Sequence, residues 1–308
     1  MQTVLLTGAS GYIGKHIALQ LLNQGFAVRA SVRNLSRAAE VREAVLPHLI
    51  DKSKLDSRLT FIELDLEKDA GWDAALSGVN VLMHTASPFP IASPKNEDDL
   101  IRPAVEGTLR ALRAAKSARV HRVILTSSMA AVYGRDLPAG KSEYDETLWT
   151  DVSHPVGRVA YTKSKTLAEK AAWDFVKNSA PEIELTTINP VLVLGAPLDK
   201  NFGSSISIVE RILKGKDPML PDLKFSIVDV KDVAMMHVAA RNGKNIDSFV
   251  VRKAEKAHGL QRRIEGPDVK GKKVLAVEDT STTGGSVLTA VEALKEAGAI
   301  VVGVAVIV

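Results

Sequence analysis

The feature that most constrains this chain is the alternation of apolar runs with amphipathic stretches along its N-terminal two thirds. Runs of strand length occupy residues 4–8, 28–33, 59–65, 79–86, 121–127 and 184–195. Stretches with helical spacing, such as HIALQLLNQG and LIRPAVEGTLRALRAAKS, lie between them. This alternation predicts an α/β fold, a doubly wound parallel sheet of the Rossmann type with helices on both faces. Residues 228–243 predict another helix, whereas Pro, Gly and Asp interrupt the pattern in 196–226, as expected of the rim of a substrate pocket.

Composition narrows the class of protein. The 308 residues are 45% hydrophobic and 25% charged, which is ordinary for a globular protein of one or two domains. The chain has no cysteine, which excludes disulfides and thiolate metal sites and is compatible with the cytoplasm. No metal site is predicted. A net charge of +4 with few aromatics argues against nucleic-acid binding, and no apolar run is long enough to cross a membrane.

The first apolar run ends in a glycine-rich turn, GASGYIG, that opens a helix. Gly8, Gly11 and Gly14 permit a tight turn and let the backbone approach a pyrophosphate, with Tyr12 and Ile13 between them. The helix N-terminus then presents N–H groups to the phosphates. The turn therefore predicts dinucleotide binding, although a turn that holds no ligand is the alternative.

The end of the second run indicates which dinucleotide is bound. An acid at this place would bind the ribose 2′-hydroxyl and repel a 2′-phosphate. The sequence has Arg33 there, with Arg37 nearby, which favours NADP(H) over NAD(H). The alternative is that Arg33 is a solvated charge at a strand end.

Tyr161 and Lys165 are four residues apart, so they share one face of a predicted helix. A lysine ammonium beside a phenol favours the phenolate, so we expect a lowered pKa for Tyr161. Tyr161 would then give a proton to a carbonyl oxygen, to which Ser128, at the end of a strand, could donate a hydrogen bond. The pair alone is weak evidence, since exposed helices often contain this spacing by chance.

Residues 1–242 resemble an extended short-chain dehydrogenase/reductase of the dihydroflavonol reductase and aldehyde/ketone reductase branch. The similar segments are LLTGASGYIG, VRASVRN, ELDL, HTASP, VILTSS, YTKSKTLAEKAAW, INPVLVLG and VDVKDVAMMHV. The resemblance implies a catalytic triad of Ser128, Tyr161 and Lys165. It favours Ser128 over Ser127 as the serine of this triad. It also implies that Lys165 holds the nicotinamide ribose, that Asp65 and Leu66 flank the adenine, and that Thr85, Ala86 and Pro190 line the cofactor groove. The implied reaction is hydride transfer from NADPH to a small-molecule aldehyde or ketone.

A second phosphate-type loop lies near the C-terminus, where VLAVED is followed by hydroxyls and glycines. Acids at a strand end can accept hydrogen bonds from ribose hydroxyls, and the loop offers N–H groups and a helix N-terminus to a phosphate. The candidate residues are Glu278, Asp279, Thr280, Ser281, Thr282, Thr283, Gly284, Gly285 and Ser286. A helix cap that binds nothing is the alternative.

Residues 246–308 resemble a type I phosphoribosyltransferase, in particular orotate phosphoribosyltransferase, on FVVRKAEKAHG and VEDTSTTGGS. The resemblance implies that Lys253, Lys256 and His258 belong to a loop covering the pyrophosphate. The N-terminal part that this family needs is replaced by the reductase-like segment. The sequence therefore argues against orotate transfer, while binding of phosphate or phosphoribosyl pyrophosphate stays open.

We therefore interpret the chain as a chimera, more consistent with engineering than with a natural fusion. Residues 1–245 would form an NADP-binding reductase-like Rossmann domain with an incomplete substrate lobe, and residues 246–308 a phosphoribosyltransferase-like fragment. FVVRK would follow helix 230–242 as the next strand, and VLAVED with the last apolar run would complete the sheet. Three hypotheses stand: a carbonyl reductase, an inactive α/β scaffold, and a binder of phosphoribosyl ligands. Whether turnover survives is open, as is the choice between a monomer and a homodimer.

Overall fold

The computed structural model describes residues 1–88, 94–141, 143–215, 226–241, 250–251, 264–265, 268–278 and 285–306. The chain divides into two compact units, a first unit Met1–Lys244 and a second unit Asn245–Val308. Among the helices so described, none combines the length and apolarity needed to span a membrane.

The first unit is built on a six-stranded parallel sheet with the order β3-β2-β1-β4-β5-β6. Its strands are β1 Thr3–Thr7, β2 Ala27–Val32, β3 Leu59–Glu63, β4 Val81–His84, β5 Arg122–Thr126 and β6 Glu184–Ile188. The strand order changes direction between β1 and β4, which is the place where doubly wound sheets bind their ligands. The predicted Rossmann-type sheet is confirmed.

Helices cover both faces of this sheet. They are α1 Tyr12–Asn23, α2 Ala38–Val45, α3 Leu55–Arg58, α4 Trp72–Leu76, α5 Asp98–Ser117, α6 Ala160–Ser179, α7 Gly203–Leu213 and α8 Val230–Ala240. Short 3₁₀ turns occupy Leu35–Arg37, Leu46–His48, Lys52–Lys54 and Met129–Ala131. Apolar residues alternate between the faces because successive side chains of a strand point to opposite sides. Val4 and Leu6 pack in the cluster that contains α1 and α8, whereas Leu5 packs in the cluster of α4, α5 and α6.

The run 184–195, predicted as one strand, forms two. It is interrupted at Asn189 and Pro190, and β7 Leu192–Leu194 then pairs in parallel with β8 Ile227–Asp229 in a separate sheet. Proline has no N–H to donate to a ladder, so a strand is readily broken there. Within 196–226, where the pattern is interrupted, residues 203–213 form α7.

The second unit has its own small sheets. β9 Val250–Val251 pairs antiparallel with β10 Ile264–Glu265. β11 Lys273–Glu278 pairs in parallel with β12 Ile300–Val306, and α9 Gly285–Glu296 lies between these two strands in the chain. Val274, Ala276 and Leu294 are buried in a core cluster formed by residues of this unit. The expected continuation of the reductase sheet by FVVRK and VLAVED is therefore wrong, because their described residues pair with partners from the same fragment.

Candidate functional site

The glycine turn between β1 and α1 is too crowded for side chains at two of its positions. Gly8 has a φ of +68°, and a Cβ there would lie 2.9 Å from the backbone of Ala86. A Cβ on Gly14 would lie 2.3 Å from the carbonyl oxygen of Gly8. Glycine is thus required at both places by backbone contacts within the protein.

The outer side of the turn is open. Gly11 is exposed and caps α1, and the first helical hydrogen bond runs from Lys15 N to Gly11 O at 3.0 Å. The amides of Tyr12, Ile13 and Gly14 precede that bond, so they have no partner inside the helix and are available to a phosphate. The turn therefore fits the pyrophosphate of a dinucleotide.

The side chains of Tyr12 and Ile13 are used for packing. The Tyr12 hydroxyl donates to Gly195 O at 2.9 Å, and burial, with Asp229 nearby, raises the pKa of Tyr12 to about 12. Ile13 packs against the core. Tyr12 and Ile13 therefore contribute only their backbone amides to the glycine turn.

The predicted adenine end of the groove lies at β2 and β3. Arg33 follows β2 and is exposed, and its charge acts on Asp65, which follows β3. The pKa of Asp65 is lowered mainly by the hydrogen bond it accepts from Glu67 N, and further by Lys68 and Arg33. Leu66 is half-buried against the core. Arg33 and Asp65 thus follow neighbouring strands at one edge of the sheet, and the charge of Arg33 acts on the Asp65 carboxylate.

Thr7 connects the glycine turn to β4. Its buried hydroxyl oxygen accepts from Thr85 N at 3.1 Å and from Ala86 N at 3.2 Å, and it lies 2.9 Å from His84 Nδ1. Burial, with the charge of Lys165, lowers the pKa of His84 to about 4, so its imidazole is neutral. Because the Thr7 oxygen already accepts two N–H bonds, its hydroxyl donates a hydrogen bond to Nδ1 of His84. Thr85 and Ala86 are thereby held against Gly8, where the cofactor groove was predicted.

The predicted triad is assembled by the end of β5 and the start of α6. Ser128 has an extended backbone and caps a 3₁₀ turn, accepting from Ala130 N at 3.2 Å. Its side chain forms a hydrogen bond with the Tyr161 phenol. Lys165, one helical turn further on, places Nζ 6.0 Å from the centre of the Tyr161 ring. The structure therefore brings Ser128, Tyr161 and Lys165 together.

The expected lowering of the Tyr161 pKa is wrong for this structure. Burial raises the pKa of the phenol, Ser128 opposes this through its hydrogen bond, and Tyr133 adds to the rise. The desolvation of the phenolate outweighs the stabilising contacts. Tyr161 is consequently a protonated phenol near neutral pH.

Lys165 is buried, and burial lowers its pKa to about 8, with Glu169 opposing the shift. The charge of Lys165 acts in turn on His84, whose pKa it lowers. Thr7 contacts His84, and Lys165 lies within electrostatic range of the same imidazole.

Ser127, which follows β5, and Pro190, which follows β6, both lie close to Ser128. The Ser127 hydroxyl donates a hydrogen bond to the Glu169 carboxylate. It is therefore Ser128 that forms the hydrogen bond with the Tyr161 phenol. The Pro190 carbonyl accepts from Met129 N at 3.0 Å, which fixes Pro190 next to the turn that Ser128 caps.

Sequence reasoning missed Thr7, His84 and Glu169. A signal existed for each of them. Thr7 and His84 are polar residues at the ends of apolar runs, and Glu169 continues the spacing of Tyr161 and Lys165 on α6.

Most of the phosphoribosyl candidates lie outside the described residues, namely Lys253, Lys256, His258, Asp279, Thr280, Ser281, Thr282, Thr283 and Gly284. Glu278 is the last residue of β11, and Gly285 and Ser286 are the first two of α9.

A family profile of known proteins matches the part of the sequence that contains these residues. The profile of the NAD dependent epimerase/dehydratase family covers residues 4–251. The chain belongs to this family. Members of the epimerase/dehydratase family that are similar to it include reductases from plants and fungi.

Cinnamoyl-CoA reductase CAD2 of Medicago truncatula is 37% identical over 240 residues, 77% of this chain and 71% of the relative. A Candida albicans protein described as a putative NADPH-dependent methylglyoxal reductase, GRP2, is 35% identical over 77% of this chain and 74% of its own length. A crystal structure of yeast methylglyoxal/isovaleraldehyde reductase Gre2 complexed with NADPH superposes with a TM-score of 0.67 at 30% identity, covering 78% of this chain and 74% of that one.

A second profile, of the phosphoribosyl transferase domain, matches residues 232–308. It overlaps the epimerase/dehydratase match over residues 232–251. The C-terminal resemblance seen in the sequence is thus supported at the level of a domain family.

Proposed function

We propose that the protein is an NADP(H)-dependent reductase of small aldehydes or ketones. The observation that carries this proposal is the placement of the Tyr161 phenol between Ser128 and Lys165. The contact of Thr7 with His84, and the effect of the Lys165 charge on His84, support a site in which this group acts beside the glycine turn.

In this proposal Ser128, Tyr161 and Lys165 have different roles in the reduction of a carbonyl substrate. Ser128 donates a hydrogen bond to the carbonyl oxygen, and Tyr161 gives that oxygen its phenolic proton as the alcohol forms. Lys165, still largely an ammonium at neutral pH, holds the ribose next to the nicotinamide and stabilises the resulting phenolate. NADPH, when bound, supplies the hydride that the carbonyl carbon receives.

Cofactor choice is proposed to depend on Arg33. Its exposed guanidinium lies where the 2′-phosphate of NADPH is expected at the end of β2, and a guanidinium is a good partner for a phosphate. The relatives support this choice, since Gre2 was crystallised with NADPH and GRP2 is described as NADPH-dependent. The methylglyoxal and isovaleraldehyde in their names suggest the first substrates to test.

The test is NADPH oxidation, followed by absorbance, with a panel of aldehydes and ketones that includes those two. We expect Tyr161→Phe to lower kcat/KM by about 100-fold or more while NADPH still binds. Lys165→Met should weaken both turnover and binding, and Lys163→Met is the matched control, because Lys163 lies on the same helix but pairs with Glu97 at 2.6 Å.

A folded protein that binds NADPH but fails to oxidise it, whichever carbonyl compound is added, would support the alternative of an inactive scaffold with an incomplete substrate lobe. Absence of any thermal stabilisation by NADPH would overturn the proposal itself, because binding to the native state alone raises the unfolding midpoint.

We also propose a second candidate function, phosphate or phosphoribosyl pyrophosphate binding at 278–286. The match of residues 232–308 to the phosphoribosyl transferase domain favours it. Stabilisation by phosphoribosyl pyrophosphate that is lost in Asp279→Ala would support this function, and an equal shift in both proteins would overturn it. Transfer activity is not proposed.

The origin of the two segments is a separate proposal. We infer that a reductase-like part, residues 1–245, was joined to a phosphoribosyltransferase-like fragment, residues 246–308, by engineering. Two different family profiles meeting within one chain support a chimera. Expression of residues 1–245 alone tests the boundary, since a reductase-like domain should fold and bind NADPH without the fragment.

A further inference from the structure

Glu169 is a buried carboxylate for which the proposed reaction has no role. It lies on α6, four residues after Lys165 and eight after Tyr161, with 5% of its surface exposed. Because a helix turns once in 3.6 residues, Tyr161, Lys165 and Glu169 follow one another along one side of α6. A carboxylate is costly to bury without donors or a compensating charge.

The oxygens of Glu169 are held by three donors. Asn189 Nδ2 donates to Oε2 at 2.7 Å, the Ser127 hydroxyl donates to the same oxygen, and Trp173 Nε1 lies 3.4 Å from Oε1. Each of the first two donors neighbours Ser128 in the chain or in space, because Asn189 Nδ2 also donates to Ser128 O at 3.2 Å. These contacts orient the carboxylate and attach α6 to the ends of β5 and β6.

Two effects on the charge of Lys165 are identified among the described residues. Its pKa is affected first by burial and then by Glu169, which favours the ammonium. The charge of Lys165 acts on His84 of β4, which is neutral near pH 7, since its pKa is about 4. Among the described residues, Tyr161 on the same helix and Tyr133, which acts on Tyr161, are further titratable groups here. Glu169 is the acidic side chain in this group of residues.

We propose that Glu169 is a positioning residue that keeps Lys165 in its ammonium form and at the same time fixes the Ser127–Ser128 segment. The inference deepens the proposed reductase function and rests on it. Glu169 touches neither substrate nor cofactor in this proposal. It acts through Lys165, whose charge the proton transfer from Tyr161 requires, and through Asn189, which binds Ser128.

The proposal makes the effect of Glu169 depend on pH. Without the carboxylate, burial lowers the affinity of Lys165 for its proton further, so Lys165 loses its charge at a lower pH. In Glu169→Gln the basic limb of the kcat/KM profile should move to lower pH. Activity should fall about tenfold or more at pH 8 and less than about threefold at pH 6. The dissociation constant of NADPH should rise more at pH 8 than at pH 6.

Two further variants separate charge from structure. Glu169→Asp keeps the charge and should restore most of the wild-type profile, whereas Asp174→Asn removes an exposed carboxylate from the same helix and should change nothing. An equal loss at every pH in Glu169→Gln, or an unchanged profile, overturns the proposal. The first of these outcomes would leave Glu169 a purely structural residue.

A measurement without turnover distinguishes failure of this proposal from failure of the proposed function. The ¹³Cε signal of labelled Lys165, assigned with Lys165→Met, can be titrated in the free protein. We expect its midpoint to fall in Glu169→Gln even if the protein reduces no carbonyl. An unchanged midpoint would overturn the role of Glu169 whatever the activity.

Discussion

Lys15 Nζ lies 2.5 Å from Asp199 Oδ2, and this ion pair joins α1 to the segment that follows β7. The same ammonium pairs with Glu40 of α2 at 2.6 Å, and only 1% of the Lys15 side chain is exposed. Arg37 shares Glu40 with Lys15 at 3.0 Å. A buried cation therefore connects the helix of the glycine turn with the rim predicted to line the substrate pocket.

Replacing Lys15 should be costly because it would leave the half-buried Asp199 without this partner and Glu40 with Arg37 alone. We expect Lys15→Met to lower the free energy of unfolding by about 3 kcal/mol, as for other broken buried pairs. Asp56→Asn, which breaks the exposed pair between Arg42 of α2 and Asp56 of α3, should cost less than about 1 kcal/mol. Urea unfolding of the two variants measures the difference, and equal losses would contradict the burial argument.

Two buried histidines should make stability depend on pH. Burial lowers the pKa of His84 and of His237 from 6.5 to about 4. Between these values the unfolded chain binds more protons than the folded one, so their contribution is complete above pH 6.5 and is lost as the pH falls towards 4. Each histidine contributes about 1.4 kcal/mol per pH unit in that window.

Urea unfolding at several pH values tests this dependence. His237, whose ring binds Thr126 Oγ1 at 2.7 Å and Val233 O at 2.7 Å, can be replaced by Gln, and the slope should become shallower. Replacing the exposed His121 by Gln should leave the slope as it is. A slope that is insensitive to His237 would show that other groups cause the pH dependence.

Arg33 should decide between the two nicotinamide cofactors. We expect Arg33→Ala to raise the dissociation constant of NADPH about tenfold, because a charge-assisted contact to the 2′-phosphate is lost, and to leave that of NADH nearly unchanged. Calorimetric titration with both cofactors measures this, and Arg42→Ala on α2 is the control. A parallel loss of NADH affinity would instead assign Arg33 a role in folding.

The sheet and the residues that meet on it were predictable from local pattern. The apolar runs gave the strands of the six-stranded sheet, and the spacing of Tyr161 and Lys165 placed both on α6. Ser128 was predicted beside them from its position at a strand end. Such features depend on periodicity and chain order, which a sequence displays directly.

What could not be predicted depends on burial and on pairing. The rise in the pKa of Tyr161 results from desolvation by residues distant in sequence. The pairing of β7 with β8 joins residues on either side of α7. The separate sheet of β11 and β12 likewise reflects a choice of strand partner that an apolar pattern leaves open.

The contacts from Thr7 to His84, with Lys165 next to His84, have a practical consequence for redesign. A change of cofactor preference by grafting another glycine turn would also replace or disturb Thr7, which binds Thr85 and Ala86 of the groove. His84 would then lose the hydroxyl bonded to its Nδ1 atom, and its imidazole is within electrostatic range of Lys165, which belongs to the proposed proton-donating group. Cofactor loops for this fold are therefore best exchanged together with the end of β4, as one transplanted unit.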